Sequence, residues 1–112
     1  MFYIDVAAGW RGNGKGVGMS ERLDELREQI EHLSHELVVL LDQRFQVSQA
    51  IGEEKQLLGL SAQDVNREDA LISRLVESNR GRLPDAAIDA VFRAIFRTFV
   101  HYQEVEKEKS RE

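Results

Sequence analysis

The 112-residue sequence contains no cysteine and only one proline. Without cysteine the chain cannot form a disulfide framework, a thiolate nucleophile or a cysteine-ligated metal site, and this composition suits a reducing cytoplasm. A single proline leaves long stretches without a helix breaker, so long helices are favoured over strands and tight turns. The composition therefore predicts an all-α protein located in the cytoplasm.

Long apolar runs and excess positive charge are also missing. No run approaches the roughly 20 residues that span a bilayer, and the N-terminus lacks the apolar segment of a signal peptide. The net charge of −5 gives no overall attraction to nucleic acid. We therefore expect neither a membrane nor a nucleic acid as a partner.

What the sequence does contain is enough for one domain. Hydrophobic residues make up 42% and charged residues 31% of the chain, which is typical of a soluble globular protein. Residues 1–19 differ from the rest, because a glycine-rich stretch follows a short apolar segment. We interpret 1–19 as a flexible N-terminal extension or leader and 20–112 as the functional helical domain.

The first predicted helix is long. It runs from Ser20 to about Leu58, tolerates Gly52 in its interior and ends at Gly59. A helix of about 38 residues is roughly 57 Å long, more than two short partner helices can cover, so self-association is expected. Its apolar stripe, with steps of three and four, consists of Leu23, Leu26, Ile30, Leu33, Leu37 and Leu40.

Two further helices follow. Asp64 is predicted to cap a second helix that ends near Ser78, and Pro84 fits the first turn of a third helix. The highly charged segment 104–112 is expected to fray after that helix. Together these signals predict three helices in the order long, short, long, intertwined in a homodimer.

Two cations share one face of the first helix. Arg44 and Lys55 are 11 positions apart, which leaves them about 20° apart around the axis and roughly 16 Å apart along it. Ser48 and Ile51 lie between them, so both cations can converge on an anion or simply face solvent. Arg27 lies about 100° round the helix and roughly 25 Å from Arg44, so it can bind the same ligand only from a second protomer. Spacing alone favours a solvated surface arginine at this position.

The start of the second helix combines a cap with charge. Asp64 can accept hydrogen bonds from backbone amides, while Arg67 and Glu68 stand in the first turn. An arginine beside exposed amides can grip an anion. Taken by themselves these residues favour simple capping over anion binding, and both interpretations stay open.

Taken together, these motifs resemble the all-α chorismate mutase family over residues 23–104. The family implied by this resemblance converts chorismate to prephenate, an isomerisation in the shikimate pathway of aromatic amino-acid biosynthesis, in a homodimer with shared active sites. The matching segments, in order, are Leu26-Arg27-Glu28-x-Ile30, Glu36-Leu37-x-x-Leu40-Leu41-x-x-Arg44, Ile51-Gly52-x-x-Lys55, Asp64-x-x-Arg67-Glu68 and Gln103.

The resemblance assigns roles to these residues and implies neither a metal nor a cofactor. Arg44 and Arg27 of the second protomer would pair the substrate carboxylates, with Arg67 near the same anionic end and Asp64 in the same motif. Lys55 and Gln103 would donate to the ether oxygen, where negative charge develops. The substrate binding residues are thus Arg27, Arg44, Asp64 and Arg67, and the catalytic residues are Lys55, Gln103 and Glu68, of which Glu68 would take the ring hydroxyl.

One position departs from the family. Phe99 stands where the family often places a serine, and Thr98 beside it faces elsewhere. The missing hydroxyl would remove a carboxylate contact, which leaves low activity or a changed substrate open. The alternatives are an isochorismate pyruvate lyase and a non-catalytic helical dimer that regulates an enzyme of aromatic biosynthesis.

Two other signals are weaker. The segment from Gly9 to Lys15 fits the start of a phosphate-binding loop, but Gly16 stands where a magnesium-binding hydroxyl is needed. His32 and His35 are three residues apart on a helix, without the flanking ligands typical of zinc. We interpret them as surface or dimer-contact residues.

Overall fold

The structure, a computed structural model, describes residues 19–110, and every regular element in this range is an α-helix. The helices are α1 (Met19–Leu57), α2 (Val65–Ser78) and α3 (Asp85–Ser110). Over these described residues, the prediction of an all-α fold with three helices is confirmed. The predicted extension 1–19 and the phosphate-loop-like segment lie outside the described residues, apart from Met19, where α1 begins.

Helix α1 ends in a turn closed by glycine, as the sequence predicts. The amide of Leu60 donates to the carbonyl of Lys55 at 2.8 Å, and the amide of Gly59 donates to the carbonyl of Gln56 at 3.2 Å. This pair of bonds is a Schellman motif, which requires a left-handed residue just past the helix. Gly59 fills that position with φ of 71°.

Replacing Gly59 by alanine is expected to lower the free energy of unfolding by about 1 kcal/mol, because a side chain is strained in the left-handed region. Thermal unfolding followed by circular dichroism measures the change. Gly81→Ala is the matched control, because a Cβ there would meet only Asn79 Oδ1 at 3.5 Å, an ordinary contact. Equal stability of the two variants would contradict the role given to Gly59.

The starts of α2 and α3 also follow local signals. Asp64 caps α2, and its Oδ1 accepts from the amide of Arg67 at 3.1 Å. The carbonyl of Pro84 accepts from the amides of Ala87 and Ile88 at 3.0 and 3.1 Å, which starts α3 one residue after the proline. Both starts therefore agree with the predictions to within a residue.

The end of α3 corrects one expectation. The charged segment was expected to fray, yet α3 continues through Ser110. Glutamate and lysine are good helix formers, and opposite charges three or four residues apart stabilise a helix. Lys109 Nζ and Glu106 Oε2 form such a pair at 3.9 Å.

The chain divides after Gln43 into two units. Of the first unit, the structure describes the part of α1 that begins at Met19. Its predicted apolar stripe is exposed to solvent, from 40% at Leu26 to 66% at Ile30. An apolar stripe left this open often marks a surface that another chain covers.

The second unit begins at Arg44 and contains the rest of α1 together with α2 and α3. Its buried apolar side chains are Ile72 of α2 and Ile88 and Phe96 of α3. Helices α2 and α3 are also joined through Arg93, which lies 2.8 Å from Asp69 and 3.0 Å from Asp89. The hydrogen bond to Asp69 raises the pKa of Arg93, but an exposed pair of this kind adds little stability.

None of the described helices has the length and apolar character needed to cross a membrane.

Candidate active site

The second unit contains a cavity of about 270 Å³ between its helices. This volume is near the lower end of the range of about 300–1,000 Å³ that is typical of small-molecule sites. Apolar side chains form much of the wall. They are Val47, Ile51, Leu71, Phe96, Phe99 and Val100.

Six of the seven residues that the sequence singled out line this cavity. They are Arg44, Lys55, Asp64, Arg67, Glu68 and Gln103. The seventh, Arg27, belongs to the first unit and is not among the lining residues. The structure thus brings the six together, while their roles toward a ligand stay predictions.

Lys55 lies in the last turn of α1, where its side chain meets the loop to α2. Its Nζ donates to the carbonyl of Ala62 at 2.7 Å. The backbone carbonyl of Lys55 accepts from the amide of Leu60 in the Schellman turn. Lys55 is therefore held at both ends, and its ammonium has two further hydrogens to donate into the cavity.

Arg44 lies against two aromatic rings of α3. Its guanidinium carbon is 5.4 Å from the ring centre of Phe96 and 5.5 Å from that of Phe99. Both distances are within the range of a cation–π interaction. Partial burial lowers the pKa of Arg44, but a guanidinium remains charged at neutral pH.

Phe99 was the departure from the family pattern, and its contacts explain what a phenyl ring does there. Besides Arg44 it packs edge-on against Phe45, with ring centres 5.3 Å apart. Thr98 beside it is exposed and donates to the carbonyl of Ala94 at 2.8 Å, away from the cavity lining, as predicted. Phe99 therefore supports the cation instead of offering a hydroxyl to a ligand.

The start of α2 supplies a second group of charges. The Asp64 carboxylate caps the helix, so the capping interpretation of this residue is confirmed, and Asp64 also lines the cavity. Arg67 and Glu68 follow in the first turn and line it as well. A helix N-terminus carries partial positive charge, so this end of the cavity favours an anion beside one acceptor carboxylate.

Gln103 is buried and bound to α1. Its Nε2 donates to the carbonyl of Ser48 at 2.7 Å and to Ser48 Oγ at 2.8 Å. Gly52 makes room for it, because a Cβ there would lie 2.9 Å from Gln103 Cγ. The glycine that interrupts the first helix in the sequence is therefore a place where α3 approaches α1 closely.

Some lining residues were not assigned to the site from the sequence. Ser48 was placed on the face between Arg44 and Lys55, so its helical register was the available signal, but it received no role. Phe96 was interpreted as core and is indeed buried, yet it also borders the cavity. Ala62 contributes a backbone carbonyl, which no sequence pattern reveals.

The histidines His32 and His35 belong to the first unit and are not among the residues that line the cavity. His32 Nε2 lies 3.2 Å from Glu36 Oε2, and His35 Nε2 lies 3.7 Å from Glu31 Oε2, both as pairs one turn apart on α1. Within residues 19–110 no group of three histidine or acidic side chains is arranged to hold a metal ion. Three cations, two carboxylates and a buried amide in an apolar cavity instead suit a small organic anion that carries a hydroxyl.

Comparison with known proteins agrees with this chemistry. The family model for chorismate mutase type II matches residues 26–104. A bifunctional chorismate mutase/prephenate dehydratase of Neisseria gonorrhoeae is 35% identical in an 81-residue alignment that covers 69% of this chain and only 22% of that protein.

Two solved structures, both of a chorismate mutase from Thermus thermophilus, are also similar. Form II has a TM-score of 0.71 and 32% identity and covers 75% of this chain and 96% of its own. Form I has a TM-score of 0.66 and 33% identity, with 70% and 99% covered. The helical arrangement is therefore similar over nearly the whole length of the Thermus thermophilus chains and over 70–75% of this one.

Proposed function

Because the chain belongs to the chorismate mutase type II family, we propose that it catalyses the rearrangement of chorismate to prephenate. The observation that carries the proposal is the cavity whose wall combines Arg44, Lys55, Arg67, Glu68 and Gln103. Its cations match a dicarboxylate, and its carboxylate matches the ring hydroxyl of that substrate.

The reaction is unimolecular, so the protein contributes by holding the substrate in its reactive conformer and by stabilising the transition state. Within one molecule an ether C–O bond breaks while a C–C bond forms, and no group, proton or electron is exchanged with the protein. Fixing a flexible diacid in its compact conformer removes part of the entropic barrier. Neither a cofactor nor a metal takes part in the proposed mechanism.

The carboxylates are bound by arginines in this proposal. Arg44 offers planar paired donors and is already held against Phe96 and Phe99. Arg67 adds a second cation at the N-terminal end of α2, where Asp64 orders the first turn. Both guanidiniums lie on the cavity wall, so they are placed to bind the anionic groups of one ligand.

The reacting oxygen is served by Lys55. As the C–O bond breaks, negative charge develops on the ether oxygen, and a fixed ammonium stabilises that charge more in the transition state than in the ground state. Glu68 accepts the ring hydroxyl, and Gln103 completes the polar end of the site. The hydrogen bond to the carbonyl of Ala62 holds the Lys55 ammonium in one position.

The working form in this proposal is an intertwined homodimer. The exposed stripe of α1 offers a continuous apolar surface to a second copy. Arg27 belongs to the same unit as that stripe. When a second copy packs on the stripe, its Arg27 would therefore reach the cavity of the first copy. We also assign the reaction to the cytoplasm, which a chain without cysteine suits.

Loss of chorismate absorbance, with prephenate identified as the product, tests the activity. We expect the purified protein to catalyse this conversion without added metal or cofactor. Release of pyruvate from isochorismate would instead identify the lyase. No turnover in either assay would contradict an enzymatic function and favour a regulatory helical dimer.

A further inference from the structure

Helix α2 is short, and it carries two charged residues of the cavity wall. It has 14 residues between two loops, and Arg67 and Glu68 in its first turn line the cavity. Of the described residues of α2, Ile72 alone is buried. Apolar contacts are not directional, so they restrain the rotation of α2 about its own axis only weakly.

A directional contact joins α2 to α3 directly beside the site. Asp69 follows Glu68 in the sequence, and its Oδ1 lies 2.8 Å from Nη2 of Arg93 in α3. A distance this short is typical of a charge-assisted hydrogen bond. This bond is also the largest cause of the raised pKa of Arg93. The carboxylate of Asp69 therefore ties the first turns of α2 to a defined point on α3.

Asp69 and the two cavity residues lie on different sides of α2. At 100° per residue, Asp69 is about 100° from Glu68 around the helix axis, and Ile72 lies between them. The ion pair thus holds α2 on the opposite side of Ile72 from the cavity. Without the pair, α2 can rotate about its buried contact and carry Arg67 and Glu68 with it.

A small rotation of α2 is enough to affect ligand binding. Side-chain tips lie about 6 Å from a helix axis, so a rotation of about 10° moves them by about 1 Å. A misplacement of this size in a binding group can cost up to about a hundredfold in rate. Lys55 belongs to α1, so a rotation of α2 leaves it in place.

We propose that Asp69 and Arg93 are positioning residues, whose ion pair holds Arg67 and Glu68 in place to bind chorismate. Neither Asp69 nor Arg93 is among the residues that line the cavity, so both act through α2 and not by touching the substrate. The pair is partly exposed, so it adds little stability while it still determines geometry. This inference rests on the proposed mutase function.

Replacing Asp69 by alanine is expected to raise KM for chorismate about tenfold and to change kcat less than about twofold. Arg67 and Glu68 bind parts of the substrate that do not react, so displacing them weakens binding of the substrate and of the transition state alike. Partial unfolding would act differently, because fewer active molecules lower the apparent kcat at constant KM. Steady-state kinetics separates the two effects, and circular dichroism checks the fold.

Asp89→Ala is the matched control. Asp89 also binds Arg93, at 3.0 Å from Nε, and its side chain is 48% exposed against 52% for Asp69. Because Asp89 belongs to α3 itself, its loss leaves the bond between the helices intact and should keep KM within about twofold of the wild-type value. Arg93→Met keeps the aliphatic stem and should match Asp69→Ala. Combining these two substitutions should add less than about twofold, since both remove the same bond.

Three results would overturn the proposal. They are an unchanged KM in Asp69→Ala, an equal rise of KM in Asp89→Ala, and losses of Asp69→Ala and Arg93→Met that multiply to about a hundredfold. If Asp69→Ala does not fold, Asp69→Asn provides a second measurement, because it keeps the shape and one acceptor oxygen but loses the charge. It should raise KM about threefold, and an unchanged KM in that variant would also contradict the proposal.

Failure of the proposed function is seen separately, because the wild-type protein would then not convert chorismate. In that case calorimetric titration with chorismate replaces the kinetics. Weaker binding by Asp69→Ala than by both wild type and Asp89→Ala would support the positioning role. Equal binding by Asp69→Ala and wild type, or no binding by either, would overturn it.

Discussion

Replacing Lys55 by alanine is expected to lower kcat for chorismate by about a thousandfold, because one fixed donor to a developing negative charge is worth roughly that much. KM should change less, since the arginines still bind the carboxylates. Steady-state kinetics on the purified variant measures both. Of all single substitutions in the cavity, this one is expected to have the largest effect on the chemical step.

The hydrogen bond from Lys55 to Ala62 calls for a control on folding. The variant loses that bond, but the Schellman turn is made by backbone atoms and is retained. Circular dichroism and gel filtration should therefore show a folded protein of unchanged size. Lys109→Ala removes an exposed ammonium from the end of α3 and should leave kcat unchanged. Full activity in Lys55→Ala would refute the assignment of the site.

Mixing two inactive variants is expected to restore activity. Arg27→Ala and Lys55→Ala each disable every site of their own homodimer if Arg27 acts from the second protomer. In a mixed dimer one site receives both intact residues and the other receives neither. Random exchange makes about half of the dimers mixed, so an equimolar mixture refolded together should show about one quarter of the wild-type activity.

The matched control for this experiment uses two residues of one wall. Arg44 and Lys55 line the same cavity in one chain, so mixing Arg44→Ala with Lys55→Ala should restore nothing. Recovery in the first mixture and not in the second would show that Arg27 acts across protomers. Activity equal to that of the separate variants in both mixtures would contradict the shared site.

The helices and their ends were predictable because their signals are local. Asp64, Gly59 and Pro84 act on backbone groups within a few residues, and the structure places each at the helix end that the sequence predicted. The end of α3 was not predictable from charge alone, because the same residues that suggest a solvated tail also favour a helix. Only the balance of these two tendencies separates fraying from the helix that continues to Ser110.

Only those parts of the site that lie on a single helix were predictable from the sequence. The spacing of Arg44 and Lys55 predicts that both lie on one helix face, and both line the same cavity. The contact between Ser48 and Gln103 joins residues 55 positions apart. It depends on how closely α3 approaches α1 at Gly52, and no local pattern encodes that distance.

The packing of Arg44 against two phenyl rings also affects ligand affinity. A free arginine side chain samples many rotamers, and restricting it on binding costs up to about 2 kcal/mol. Here Phe96 and Phe99 restrict the guanidinium before any ligand arrives. That entropy is lost during folding and does not weaken the binding step. In the proposed mechanism, the phenyl ring at position 99 would offset part of the lost hydroxyl contact by preorganising Arg44.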